Sequence, residues 1–205
     1  MSLFIEACCP DLESVRRAVK KGVNRIELCE HLSTGGLTPS EPLIEAALAV
    51  AGDIPVNVLI RPRGGGFTYA PEEVRQMCRS IDRCRRIGVN GVVIGALDRA
   101  LKVDIPVMAS LLSHADGLQL TFHRAFDLSD DPFDALEAII GLGMDRLLTS
   151  GHASDAWSGR MILQELVNKA RGRIVIMPGC GVTPDNLQAL ARITGAREFH
   201  GSKLY

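Results

Sequence analysis

A closed (β/α)8 barrel is the fold class this chain of 205 residues predicts, and three observations carry the prediction. Eight short apolar segments with strand patterning alternate with stretches of helical periodicity. Four joints are built alike: KKGVNRIEL (20–28), RIGVNGVVI (86–94), GLGMDRLLT (141–149) and ITGAREFHG (193–201). In each, a glycine takes the left-handed cap that ends a helix, one small apolar residue follows, and a polar turn opens the next strand. These joints precede strands two, four, six and eight, which implies repeated βα construction. No GxGxxG follows the first strand, so the doubly wound alternative is the weaker reading.

The elements follow in order. Leu3–Cys9 alternates as the first strand, and Asp11 caps a helix whose Leu12, Val15, Ala18 and Val19 share a face until Gly22. Arg25–Glu30 is the second strand. After STGGL, Thr38 with Pro39 and Glu41 has the form of a capping-box start for a helix reaching about Ala51. Val56–Arg61 is the third strand, and the loop RPRGGGFTY leads to a helix from Pro71 with Val74, Met77, Cys78, Ile81 and Cys84 on its apolar stripe. Gly91–Leu97, Gln119–Ala125, Arg146–Gly151, Ile174–Pro178 and Glu198–Ser202 are strands four to eight, with helices at 104–113, 132–141, 156–170 and 184–193 between them. The whole of 1–205 reads as one domain. A barrel of this class typically has about 250 residues, whereas this sequence stops at Tyr205, directly after strand eight. The expectation is a barrel lacking its final outer helix, either because the sequence is truncated there or because another chain covers that sector.

Composition narrows the function. With 23 Lys+Arg against 24 Asp+Glu, no charge excess recommends nucleic acid or an anionic membrane as partner. No apolar run approaches the roughly 18 residues of a membrane span, and Met1–Ile5 is too short for a signal peptide before Glu6 interrupts it. The expected location is cytoplasmic, and the six cysteines, lacking CxxC spacing, are read as reduced thiols. The five lysines all fall outside the expected strands, which disfavours a Schiff-base aldolase. GxSxG, HExxH and the Lys-Ser/Thr of a P-loop are missing too.

Strand parity gathers the polar residues on one face: Glu6 and Cys8, Glu27 and Cys29, Arg61 and Arg63, His123, Thr149 and Gly151, His200 and Ser202. In a barrel that face is the interior, and side chains near the strand C-termini converge at the mouth, where barrel enzymes place catalysis. A purely structural ion-pair layer of Glu6 and Glu27 against Arg61 and Arg63 is the alternative, since buried charges need partners. Strand seven ends in MPGCGVTPDNL; Gly179 and Gly181 let backbone amides approach an anion at the start of the next helix. Cys8 and Cys29 share the polar face of neighbouring strands about 4.8 Å apart, close enough for one soft ion such as Cu(I); packing thiols are the alternative. Cys8 and Cys9 point to opposite faces. Cys78 and Cys84 read as core, the arginines of the third helix as a solvated face, and His152 as a weak site candidate just beyond strand six.

EACCPDLESVRRAVKKGVNRIELCE, GGLTPS, IRPRGG, TFHRAFD, LTSG and the GCGV turn resemble the CutC family in order from about Phe4 to Ser202. The resemblance implies a TIM barrel, a cytoplasmic homo-oligomer, and a part in copper tolerance and copper binding. Positions matching the family's mouth pattern are Glu6, Glu27, Arg61, Arg63, His123, Arg124, Thr149, Ser150, Gly151, His200 and Ser202, and Cys8 and Cys29 match its common cysteines. Gly66, Arg99–Ala100 and the early end depart from the pattern. Two functions therefore stand side by side. One is copper handling with Cys8 and Cys29 as Cu(I) thiolates. The other is an enzyme on a small carboxylate- or phosphate-bearing metabolite, with Arg61 and Arg63 holding the anion, His123 moving a proton, and Glu6 or Glu27 orienting it or acting as base. A hard divalent ion on Glu6, Glu27 and His123 is a variant of the second.

Overall fold

A computed structural model describes residues 3–205. Met1 and Ser2, the start of the segment judged too short for a signal peptide, lie outside the described residues. The first half runs β1 (Phe4–Cys9), α1 (Leu12–Lys21), β2 (Arg25–Leu28), α2 (Glu41–Ala51), β3 (Val56–Leu59), α3 (Pro71–Ile87) and β4 (Gly91–Ile94). The second runs α4 (Ile105–Leu112), β5 (Gln119–Phe122), α5 (Pro132–Gly141), β6 (Arg146–Thr149), α6 (Arg160–Ala170), β7 (Val175–Pro178), α7 (Pro184–Thr194) and β8 (Glu198–Gly201).

All ladders are parallel, in the order β7-β6-β5-β4-β3-β2-β1-β8. β1 carries a neighbour on each side, with Glu6 opposite Arg25 and His200, so the sheet curls into a nearly closed barrel whose seam lies between β7 and β8. At that seam Gly179 leaves no room for a side chain: a Cβ there would strike Leu148 and stand 3.4 Å from the Cβ of His200. The (β/α)8 expectation holds, with seven outer helices among the described residues and none after β8. Instead Tyr205 donates its hydroxyl to the Cys8 carbonyl at 2.6 Å and lies 3.5 Å from the Cys9 sulfur. Among the described residues no helix is long and apolar enough to cross a membrane.

The helices form where the caps require. Asp11 accepts from the Ser14 amide at 2.7 Å in a capping box, and the glycines of the four repeated joints, Gly22, Gly88, Gly143 and Gly195, all have positive φ. The apolar core lies between helices and barrel; α3 contributes Met77, Cys78, Ile81 and Cys84 as expected, each full burial of such a residue stabilising by about 1.5–3 kcal/mol. Two expectations are corrected. The N-cap of α2 is Ser40, not Thr38: Thr38 is drawn off by the backbone of Arg61, accepting from its amide at 2.7 Å, and Ser40 bonds to Glu30. The strands are shorter than their apolar runs, and β5 stops at Phe122 because His123 accepts from the Ala125 amide and caps a 3-10 turn, Arg124–Leu128.

The barrel floor is an ion-pair layer, but its arginines are Arg25 and Arg146 rather than Arg61 and Arg63. Arg25 binds Glu6 and, at 2.7 Å, Glu198; Arg146 bonds Gln119 and approaches Glu198 at 3.4 Å. Above this layer the barrel opens into a mouth at the C-terminal ends of the strands.

Candidate functional site

The mouth is a cleft of about 650 Å³ whose lining includes Cys8, Glu27, Arg61, His123 and His200, within the usual range for small-molecule sites. Its floor comes from β1, β2 and β8. The Cys8 and Cys29 sulfurs are 4.0 Å apart, and ligand atoms of Cys8, Glu27 and His200 all lie within 4.8 Å of one another. His200 turns Nδ1 to Glu6 at 2.8 Å and stands 3.9 Å from Glu27 Oε2. That Glu27 oxygen is buried and has no hydrogen-bond partner among the described residues.

Burial and pairing divide the two glutamates. Burial pushes Glu6 up, but the hydrogen bond from His200 and the Arg25 charge outweigh it and hold its carboxyl at about 2. Burial dominates at Glu27, aided by the charge on Glu6 and opposed by His200 and Arg25, and raises it to about 7. His200 is raised: burial works against its charge, and the two carboxylates overcome that. The Cys8 thiol is pushed well up by its hydrogen bond with Cys29, by burial and by Glu27.

One wall is Arg61, Phe67 and His123. The Arg61 guanidinium lies 4.7 Å over the Phe67 ring, and the His123 ring packs on the same phenylalanine at 4.9 Å. Arg61 donates to the carbonyls of Thr34, Gly36 and Gly65; its Nε is buried without a partner among the described residues. His123 fits because Gly95 has no side chain: a Cβ there would meet its Nδ1 at 2.6 Å. Burial and then the Arg61 charge lower His123 to about 3, and Nδ1 accepts the Ala125 amide at 3.2 Å. A lowered proton affinity together with this acceptor role keeps the ring neutral with its proton on Nε2.

The other expected residues divide. Arg124 and Ser202 line the rim, Arg124 because the 3-10 turn swings it off the packing face. Gly181 lines the cleft too, whereas Gly179 is spent on the seam. Glu6 is fully buried beneath the floor, which makes it a support for His200. Arg63 lies off the cleft, its Nε 2.5 Å and a terminal nitrogen 3.2 Å from the Glu73 carboxylate, with further bonds to loop carbonyls. Thr149 and Gly151 do not face the interior; on β6 the inward residues are Arg146 and Leu148, one position out of step with the parity reading. Thr149 and Ser150 instead hold Asp127, at 2.5 Å and 2.9 Å from their hydroxyls, and Gly151 packs on the carbonyl of Gly159. His152 bonds Ser129 outside the cleft.

Sequence reasoning missed four participants. Asp127 closes the TFHRAFD run and Lys203 follows the last strand, so neither stands on the strand face that gathers the polar residues; both line the rim. Phe67 sat unremarked in the glycine loop. Arg25, at a strand start, carried the one usable signal: it shares the parity of Glu27.

A sequence model of the CutC family matches residues 3–205. A family protein CutC of Parabacteroides distasonis is 46% identical over 202 residues, covering 98% of this chain and 83% of that protein. One from Pasteurella multocida is 44% identical over 196 residues, 96% and 80%. The crystal structure of a CutC protein from Streptococcus agalactiae, provisionally named for copper homeostasis, superposes with a TM-score of 0.95 at 33% identity over 99% of this chain and 100% of that one. An aldolase called QR15, at 16% identity and TM-score 0.72 over 98% and 89% of the two chains, shares the fold alone.

Proposed function

The chain belongs to the CutC family, and from that premise we propose that it handles copper as Cu(I), taken at the floor of the barrel mouth by Cys8 and Cys29 with His200 and Glu27 beside them. One observation carries this reading: the Cys8 sulfur, at the bottom of an open cleft and beside the His200 imidazole and an unpartnered Glu27 oxygen, has the fully buried Cys29 sulfur 4.0 Å behind it. Thiolate and imidazole are the ligand types that select Cu(I) over hard ions. Both thiols release their protons as the ion binds, so uptake strengthens as pH rises. The donor set argues against the hard-ion variant, because Glu6 is committed to Arg25 and His200. A reducing cytoplasm suits this chemistry, and all six cysteines are free thiols; a homo-oligomer is the assembly we expect. Anaerobic Cu(I) titration against a competing chelator tests it: Cys8→Ser/Cys29→Ser should lose the tight site, and undiminished affinity in that variant removes the proposal.

A second reading, an enzyme acting on a small anionic metabolite, is favoured by Arg61. This residue is 6% exposed and lines the cleft, and its guanidinium has carbonyls rather than a carboxylate around it. A buried cation so placed recruits an anion. Glu27, close to neutral pH in its proton affinity, is the acid or base such an enzyme would use. Stabilisation of the protein by carboxylates or phosphate in a thermal-shift panel, lost in Arg61→Ala, supports this reading, and indifference to every anion removes it.

A further inference from the structure

The Arg61–Phe67–His123 wall says more than that an anion binds. Two buried side chains, 6% and 5% exposed, line the same cleft and flank one aromatic ring at 4.7 Å and 4.9 Å. Each keeps one donor nitrogen, Arg61 Nε and His123 Nε2, without a hydrogen-bond partner among the described residues. Leaving a buried donor unsatisfied costs about 1–3 kcal/mol, and two at one wall mark the place where ligand atoms belong.

The two donors differ in kind. Arg61 is a cation whose two terminal nitrogens hold loop carbonyls, so it would meet a carboxylate or phosphate oxygen through Nε, in a charge-assisted bond. His123 accepts from the Ala125 amide through Nδ1, so the neutral ring offers Nε2–H, a donor suited to an uncharged carbonyl oxygen. A neutral imidazole used this way polarises a carbonyl without protonating it. Gly95, which alone makes room for the ring, is part of the same construction.

We propose that Arg61 and His123 form a paired-donor subsite for a small acid carrying a carbonyl oxygen next to its anionic group, a 2-oxo carboxylate being the simplest member, with the anion on Arg61 and the carbonyl oxygen on His123 Nε2. This rests on the second reading above, that the mouth takes a small anion. It adds which chemical class is selected and which residue selects it. The apolar wall groups Leu59, Phe67 and Leu148 suit the short carbon skeleton of such a ligand, and Lys203 at the rim adds an attractive charge along the entry path.

Binding of pyruvate, acetate and inorganic phosphate to the copper-free protein by calorimetry at pH 7 tests this. Pyruvate is expected to bind at least tenfold more tightly than acetate, and His123→Phe to abolish that preference while acetate binding persists. Equal affinity of the wild type for pyruvate and acetate overturns the paired-donor subsite and leaves the anion reading standing. Failure of all three anions to bind overturns both. Should His123→Phe not fold, the ¹⁵N–¹H signal of the His123 ring in the wild type decides: it should move on saturation with pyruvate and not with acetate, and an unmoved signal contradicts the assignment.

Discussion

Glu6 and Arg25 face each other across the β1–β2 ladder, register partners and ion-pair partners at once. The pair is sealed inside the barrel, at 0% and 2% exposure. Glu6 spends its other oxygen on His200, and His200 faces the cleft. The floor of the mouth is thus held from below by a buried charge pair.

Removing one member of such a pair leaves the other buried and uncompensated, so Arg25→Ala should lower unfolding free energy by about 3–5 kcal/mol in urea. Arg25→Met combined with Glu6→Gln should recover part of that loss. Equal stability of wild type and Arg25→Ala would show that the pair does not hold the floor.

Glu6 also sets an acid limit. Its carboxyl is held at about 2 in the fold against an ordinary 4.5, so its contribution is present above pH 4.5 and lost as pH falls towards 2. His123 acts in the same direction over a higher window. Its ring stays neutral to about pH 3 when folded but takes a proton near 6.5 when unfolded, so stability is complete above pH 6.5 and declines as pH falls from there to 3. The stability difference between wild type and His123→Gln should therefore shrink across that interval; a difference independent of pH contradicts a buried neutral imidazole.

Asp127 ties the loops after β5 and β6. It accepts from the Thr149 hydroxyl, the Ser150 amide and hydroxyl, the His152 amide and Arg124 Nε. Asp127→Ala should cost about 3 kcal/mol or more, hydrogen bonds to charged groups being worth about 1.5–3 kcal/mol each. Hydrogen exchange should quicken first at Ser150 and His152. Unchanged protection there would mean that the loops hold without the carboxylate.

Gly159 meets the Ser150 carbonyl so closely that a Cβ would overlap it. Gly159→Ala should unseat the start of α6 and lower the melting temperature by several degrees; an unshifted melt would contradict the close approach.

Much of this was legible in the sequence because it is local. Period, caps and the repeated glycine joints are short-range signals, and they gave the barrel, the order of its elements and the placement of Glu27, Arg61, His123 and His200 at one mouth. Parity failed once beyond a strand end and once inside a strand. Arg124 reaches the rim only through a 3-10 turn, and β6 presents Leu148 where Thr149 was expected. Pairing failed for a different reason: Arg25 meets Glu6 across the neighbouring β1–β2 ladder, and both Arg25 and Arg146 reach Glu198 on β8, so which buried charge finds which is decided by register and by how the barrel closes. Arg63 shows the limit of a motif read without its loop, since Glu73 on α3 claims it.

Copper K-edge X-ray absorption on the protein loaded anaerobically with equimolar Cu(I) reads the floor of the mouth most directly. Ligation by Cys8 and Cys29 predicts sulfur scatterers in the first shell of the wild type and their loss in Cys8→Ser/Cys29→Ser. A first shell of nitrogen and oxygen alone, the same in both proteins, would contradict it.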